Sequence, residues 1–105
     1  MNLLFICSRN QWRSPTAENI FRQKGYNTRS AGTSPKSKCV VSVNDIQWAD
    51  QTFVMEEKHK SMIVRKFGRS ITNKNIIVLD IPDDYQYMDA DLIRHLEDVL
   101  AVYSI

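Results

Sequence analysis

The sequence has 105 residues, a length that suits one domain with a real hydrophobic core, and 43% of them are hydrophobic. A net charge of +2 is too small to indicate nucleic acid or a membrane as partner, and no apolar run approaches the roughly 20 residues that span a bilayer. Two cysteines make no disulfide framework, and the N-terminus lacks the basic start of a signal peptide. We therefore expect one domain over residues 1–105 in the cytoplasm. We also expect the chain to be a monomer or weak dimer.

The first clear pattern is a short apolar run, residues 3–6, which has the length of a buried strand and is followed directly by Cys7. Pro15 suits the first position of a helix and Ser14 suits its N-cap, so a helix is predicted from Pro15 to Lys24. A second possible role for Ser14 is to donate a hydrogen bond to the Cys7 sulfur. A loop between a strand end and a helix N-terminus collects backbone N–H groups and the positive end of the helix dipole. This stretch therefore predicts an anion site.

Two side chains give that anion site its chemistry. The field of the helix should lower the pKa of Cys7 and keep it as a thiolate, which is the nucleophilic form of cysteine. Arg13 carries a planar fork of donors that fits two phosphate oxygens. The alternatives are a buried structural cysteine and an arginine in a surface ion pair.

Strands and helices continue to alternate along the chain. Further strands are predicted at residues 26–30, 52–55 and 76–79. Further helices are predicted after Ser42, over residues 56–67 and after Asp89, where Ser42 and Asp89 act as N-caps. Such alternation predicts a parallel sheet with helices on both faces, and in such sheets ligands bind beyond the carboxyl ends of the strands.

The predicted helix over residues 56–67 has acidic residues first and basic residues later, which complements the helix dipole. Met62, Ile63 and Phe67 form its expected buried side. His59 lies among polar positions of this helix, so we expect it to be solvated.

Four motifs follow one another in the order found in one known family. They are Cys-x5-Arg-Ser over residues 7–14, an asparagine within that loop at Asn10, Ser-Ala-Gly-Thr over residues 30–33, and an acidic loop with a proline and a tyrosine over residues 80–85. Together they resemble the low-molecular-weight protein tyrosine phosphatases over nearly the whole chain. The resemblance implies an α/β fold with a three-layer, doubly wound, four-stranded parallel sheet, of the phosphotyrosine phosphatase I-like type.

The resemblance also implies a cysteine-dependent protein tyrosine phosphatase, a phosphoric monoester hydrolase that needs no metal or other cofactor. Its expected substrates are aryl phosphomonoesters, above all phosphotyrosine in proteins, and its intermediate is a phosphocysteine at Cys7. Arg13 would stabilise the transferring phosphoryl group, and Asp83 would protonate the leaving group and then activate water. The expected phosphate-binding residues are Ser8, Arg9, Asn10, Gln11, Trp12, Arg13 and Ser14.

Asp84 stands where the family has a proline, so a slip of one residue would give it the role of Asp83. Tyr85 resembles the aromatic residue that walls the substrate pocket. Trp12 is expected to pack rather than to contact substrate, and Cys39 is expected to be an inert thiol.

Residues 33–42 form a much shorter segment than the family usually carries there, so one wall of the usual substrate cleft is expected to be missing. Two alternative functions stay open. One is a phosphate- or phosphopeptide-binding module without turnover. The other is an arsenate reductase-like oxidoreductase, which would need further cysteines to relay a disulfide, and the sequence offers only Cys39 for that purpose.

Overall fold

The computed structural model describes residues 1–105. Its strands are Asn2–Cys7 (β1), Asn27–Gly32 (β2), Gln51–Val54 (β3) and Ile76–Val78 (β4). Its α-helices are Arg13–Gln23 (α1), Val43–Trp48 (α2), Glu57–Phe67 (α3) and Ala90–Ala101 (α4), and a 3-10 turn covers Gly68–Ile71. All neighbouring strands pair in parallel, in the order β2-β1-β3-β4. The predicted four-stranded parallel α/β fold is confirmed.

Strand β1 lies inside the sheet and is apolar on both faces, as expected of a strand covered by helices on both sides. Because side chains alternate along a strand, β1 contributes to two cores. One core packs under α1 and α4 and includes Leu3, Phe5, Cys7, Phe21, Leu92 and Leu96. The other packs under α2, α3 and the 3-10 turn and includes Leu4, Ile6, Ile46, Ile63 and Ile71.

Two of the three predicted N-caps are confirmed. The Ser42 hydroxyl accepts a hydrogen bond from the Asp45 backbone N–H, and the Asp45 carboxylate accepts one from the Ser42 N–H, which is a capping box. The Asp89 carboxylate accepts from the Asp91 N–H at 2.8 Å. These caps use donors that the first turn of a helix leaves unpaired.

The predicted cap of α1 is wrong. This helix begins at Arg13 with Trp12 as its N-cap, so Ser14 lies inside the first turn and makes no capping bond. The earlier start is held by Thr16, whose backbone N–H and hydroxyl both donate to the Trp12 carbonyl. Pro15 is still accommodated because the N–H groups of the first turn have no intrahelical acceptor.

Helix α3 differs from expectation on two points. Met62 is 40% exposed, so the buried side of the helix is centred on Ile63 instead. His59, expected to be solvated, is completely buried. Its ring is held by hydrogen bonds to Glu56 and Ser8, which replace the water that a polar side chain would otherwise need.

The parallel sheet brings the carboxyl ends of its strands to one edge. Cys7 ends β1, Glu56 comes two residues after β3, and Asp83 comes five residues after β4. These three residues therefore meet at one edge although they are far apart in sequence. None of the helices has the length and apolar character that crossing a membrane requires.

Candidate active site

The loop between β1 and α1 surrounds a buried cysteine. Cys7 is 3% exposed, and the Ser14 hydroxyl oxygen lies 3.0 Å from its sulfur. Ser14 Oγ accepts a hydrogen bond from the Asn10 side-chain amide at 2.9 Å, so its own proton is free for another acceptor. Ser14 Oγ can therefore donate either to the Ala31 carbonyl at 3.3 Å or to the Cys7 sulfur, and it does not cap the helix.

Asn10 ties the loop to its surroundings. Its backbone φ is 57°, in the left-handed region that asparagine tolerates better than most residues. Its buried amide donates to Ser14 Oγ and, at 2.8 Å, to Ser30 Oγ, which in turn donates to the Glu18 carboxylate at 2.7 Å. The asparagine therefore connects the loop to both α1 and β2.

The short segment after β2 supports the loop from behind. The Ser8 carbonyl accepts hydrogen bonds from the Ser34 backbone N–H at 2.9 Å and from the Ser37 hydroxyl at 3.0 Å. A side chain at Gly32 would place its Cβ 2.1 Å from Ser37 Oγ and 2.8 Å from the Ser8 carbonyl oxygen. Only glycine therefore allows this close approach.

Arg13 is 2% exposed, and one end of its guanidinium is hydrogen-bonded within the protein. Its Nη1 donates to the Ile81 carbonyl at 2.8 Å and to the Glu56 carboxylate, which uses both protons of that nitrogen. Nη2 has no partner in the protein, and Nε faces Asp83 Oδ1 at 3.6 Å. The Nε and Nη2 edge of the fork is therefore available for a bound oxyanion.

A cavity of about 140 Å³ lies at the mouth of the loop and is lined by Cys7, Ser8, Arg9, Gln11, Trp12, Arg13 and Asp83. We call it the phosphate cavity. The Asp83 side chain is 54% exposed and stands at its opening. Asp84 is exposed and does not line the cavity. Of the two neighbouring aspartates, the geometry brings Asp83 to the cysteine and arginine.

A larger groove of about 510 Å³ adjoins the phosphate cavity and shares Gln11 and Trp12 with it. Trp12, expected to pack, is 42% exposed between the two spaces, and Tyr87 lines the groove. Tyr85 lines neither space. It packs against the core with its ring edge-on to His95, so the aromatic side chains near the site are Trp12 and Tyr87.

Two residues of the site were missed in the sequence. Glu56 pairs with Arg13, and the Glu56 backbone N–H donates to His59 Nδ1 at 3.0 Å. Partial burial opposes ionisation of Glu56, but the hydrogen bond and charge of Arg13 outweigh it and lower its pKa. Burial, followed by the charge of Arg13, lowers the pKa of His59 to about 4. A signal did exist, because Glu56 directly follows the apolar run of the third predicted strand, at the sheet edge where ligands bind.

Cys39 is exposed, and its carbonyl accepts from the Gly32 N–H at 2.8 Å. It does not line the phosphate cavity. No group of three or more His, Cys, Asp or Glu side chains is arranged to hold a metal ion.

No protein-family model and no curated protein matches the sequence. Solved structures match over almost the whole chain. The YwlE arginine phosphatase from Geobacillus stearothermophilus is 20% identical with a TM-score of 0.71, covering 98% of this chain and 88% of that one. The tyrosine phosphatase Wzb from Escherichia coli K30 in complex with phosphate is 20% identical with a TM-score of 0.74, covering 98% and 89%. A low-molecular-weight protein tyrosine phosphatase from T. tengcongensis is 21% identical with a TM-score of 0.73, covering 99% and 95%. The chain therefore has the fold of the low-molecular-weight protein tyrosine phosphatases.

Proposed function

We propose that the chain is a metal-independent phosphatase that hydrolyses aryl phosphomonoesters, with phosphotyrosine in proteins as its substrate class. The observation that carries the proposal is the shared cavity: Cys7, Arg13 and Asp83 come from two separate parts of the chain and line one space of about 140 Å³. A nucleophile, an oxyanion-binding cation and a carboxyl group are the parts that this chemistry needs.

In the first step, the Cys7 thiolate attacks phosphorus, so that an S–P bond forms while the bond from phosphorus to the aryl oxygen breaks. The leaving oxygen takes the proton of the Asp83 carboxyl group. Arg13 binds phosphoryl oxygens through Nε and Nη2 and stabilises their charge in the transition state, since Nη1 is already held by the protein.

In the second step, the Asp83 carboxylate accepts a proton from water as the water oxygen attacks phosphorus. The S–P bond breaks, inorganic phosphate leaves and the thiolate is restored. The Ser14 hydroxyl, 3.0 Å from Cys7 Sγ, supports both steps because it can donate to the sulfur whenever that atom carries negative charge.

The residues around the cavity favour a substrate that is an aryl phosphate ester within a protein. The exposed indole of Trp12 at the cavity mouth offers an apolar face to a phenyl ring, and Tyr87 offers a second aromatic surface in the adjoining groove. The groove of about 510 Å³ gives room for residues beside the phosphorylated one. YwlE, an arginine phosphatase, shares the fold, so a phosphoarginine substrate is the comparison that the test must include.

The test is hydrolysis of p-nitrophenyl phosphate in EDTA, with and without vanadate, by the parent protein, Cys7→Ser and the matched control Cys39→Ser. We expect vanadate-sensitive turnover by the parent and by Cys39→Ser, and none by Cys7→Ser. A phosphotyrosine peptide should be hydrolysed in preference to a phosphoarginine peptide, and arsenate should not be reduced. Turnover by Cys7→Ser at the parent rate would contradict the proposal, and phosphate binding without turnover would favour the binding module instead.

A further inference from the structure

His59 is a buried histidine beside the phosphate cavity that the steps above do not use. Its side chain is completely buried in the first turn of α3. Each of its ring nitrogens has a hydrogen-bond partner: Nδ1 is 3.0 Å from the Glu56 backbone nitrogen, and Nε2 is 2.8 Å from the Ser8 hydroxyl oxygen. A ring with both nitrogens engaged has one fixed orientation.

These two contacts determine where the ring proton sits. A backbone N–H can only donate, so Nδ1 must be the unprotonated acceptor of the Glu56 N–H. A neutral ring then carries its proton on Nε2, which donates to Ser8 Oγ. The ring is neutral near pH 7 because burial and the nearby Arg13 charge lower the pKa of His59 to about 4.

The Ser8 hydroxyl therefore receives a hydrogen bond and must place its own proton elsewhere. It has no other partner in the protein, and Ser8 is one of the residues that line the phosphate cavity. We propose that His59 is a positioning residue that holds the Ser8 hydroxyl as a further hydrogen-bond donor to a bound phosphoryl group, an inference that rests on the proposed phosphatase function.

The same helix start holds a second group of the site. The Glu56 backbone N–H fixes His59, whereas the Glu56 carboxylate fixes Arg13. The first turn of α3 thus sets the position of two oxyanion donors that lie on a different segment, Ser8 and Arg13. The two donors make no hydrogen bond to each other, and the start of α3 is a support that they share.

The charged groups near His59 favour the neutral ring over most of the useful pH range. Arg13 and Lys58 oppose its protonation, whereas Glu56 and Asp83 favour it. Burial adds to the effect of the two cations, so the ring should become charged only in acid. Charging would require a proton on Nδ1, which would break the bond from the Glu56 N–H and release the ring.

The variants separate positioning from mere packing. Ser8→Ala removes the donor, and His59→Phe removes its support while filling the space. His59→Gln places an amide nitrogen where Nε2 was and should restore the bond to Ser8. A matched control is His95→Gln, because that histidine lies on α4 and packs against Tyr85.

The binding of inorganic phosphate and of vanadate is measured by calorimetry, so that the test needs no turnover. We expect Ser8→Ala and His59→Phe each to weaken binding roughly 10-fold, with the double variant no weaker than either single one. His59→Gln and His95→Gln should bind within about twofold of the parent. Nitrogen NMR of the His59 ring should show the proton on Nε2 between about pH 5 and pH 8.

Unchanged oxyanion affinity in Ser8→Ala would overturn the proposal, as would a proton on Nδ1 or losses that multiply in the double variant. Ser8→Ala and the NMR measurement test the idea even when His59→Phe fails to fold. A parent protein that binds oxyanions without turning over ester would instead count against the proposed phosphatase and leave this test intact.

Discussion

The guanidinium of Arg13, a residue that lines the phosphate cavity, forms an ion pair with the carboxylate of Glu56 across 43 residues of sequence. Arg13 is 2% exposed, so its charge needs a partner inside the protein. Because Glu56 takes one side of the fork, the opposite edge is turned towards the cavity. The pair therefore neutralises the charge of the buried arginine and orients its guanidinium.

Replacing Glu56 by glutamine tests whether Glu56 orients the guanidinium of Arg13. The amide keeps the shape but removes the negative charge, so the guanidinium should shift towards Asp83. We expect kcat/KM for p-nitrophenyl phosphate to fall by up to roughly 10²-fold and the melting temperature to fall as well. Glu57→Gln is the matched control, because Glu57 is exposed and makes no contact with Arg13. Equal kinetics in the two variants would show that Glu56 has no part in orienting Arg13.

The two aspartates after β4 should differ in their dependence on the leaving group. Asp83 lines the phosphate cavity and Asp84 does not, so Asp83→Asn should remove the general acid. We expect the rate to fall roughly 10²–10⁴-fold for phosphotyrosine, whose tyrosine phenolate is a poor leaving group. The fall should be much smaller for p-nitrophenyl phosphate. Steady-state rates of Asp83→Asn and Asp84→Asn on both substrates show which aspartate carries the dependence on the leaving group. A steep dependence in Asp84→Asn alone would transfer the role to that residue.

Asn10 combines a left-handed backbone with two side-chain hydrogen bonds, and two substitutions separate these contributions. Asn10→Gly accepts the backbone angle but removes the amide, so it should impair turnover through a looser loop. Asn10→Ala removes the same bonds and adds backbone strain, so it should be less stable than Asn10→Gly by roughly 1 kcal/mol. Urea unfolding of the two variants measures this difference. Equal stability would mean that the loop takes another conformation in solution.

Acid should destabilise the protein partly through His59. Its pKa is about 4 in the folded protein against 6.5 for the unperturbed side chain. Between these values the unfolded chain binds a proton that the folded protein does not, so stability is fully present above about pH 6.5 and is lost as the pH falls towards 4. The loss is at most ~3 kcal/mol, since each pH unit is worth about 1.4 kcal/mol.

The comparison for that prediction is His59→Gln, which cannot titrate. Urea unfolding at several pH values between about 7 and 4 should show a shallower decline for the variant than for the parent. Glu56 adds a separate loss at lower pH, because its lowered pKa contributes stability that disappears only as the carboxylate protonates. Parallel pH curves for parent and variant would mean that His59 titrates normally in the folded state.

The parts of the site that follow from local sequence were predictable. The apolar run before Cys7 and the spacing to Arg13 define a strand, a loop and a helix without knowledge of the rest of the chain. Of the two roles considered for Ser14, the helix cap is wrong because it was weighed on local grounds alone, whereas donation to Cys7 fits the 3.0 Å distance between the two side chains. In the folded protein its hydroxyl has a better use, since Asn10 and Cys7 are both within hydrogen-bond distance.

The missed residues depend on contacts between distant segments. The helix sequence around His59 predicts a solvated side chain because its neighbours there are polar, whereas one of its two ring partners, Ser8, lies in the distant loop after β1. Glu56 needed the pairing of β1 with β3, which periodicity does not specify. Tyr85 occupies the position of the family's pocket-wall aromatic in the acidic loop. In the folded protein its ring packs against His95 and the core instead.

The close approach of Gly32 to Ser37 makes these positions interdependent in any divergence of the sequence. An alanine at 32 would collide first with the Ser37 side chain, and a glycine at 37 would remove that collision. The Ser8 carbonyl, 2.8 Å from the new Cβ, would still be in the way, and the hydroxyl that holds this carbonyl would be gone. No single compensating substitution therefore makes room for a side chain at position 32. The residue at the end of β2 is constrained by a loop that lies more than twenty residues earlier in the sequence.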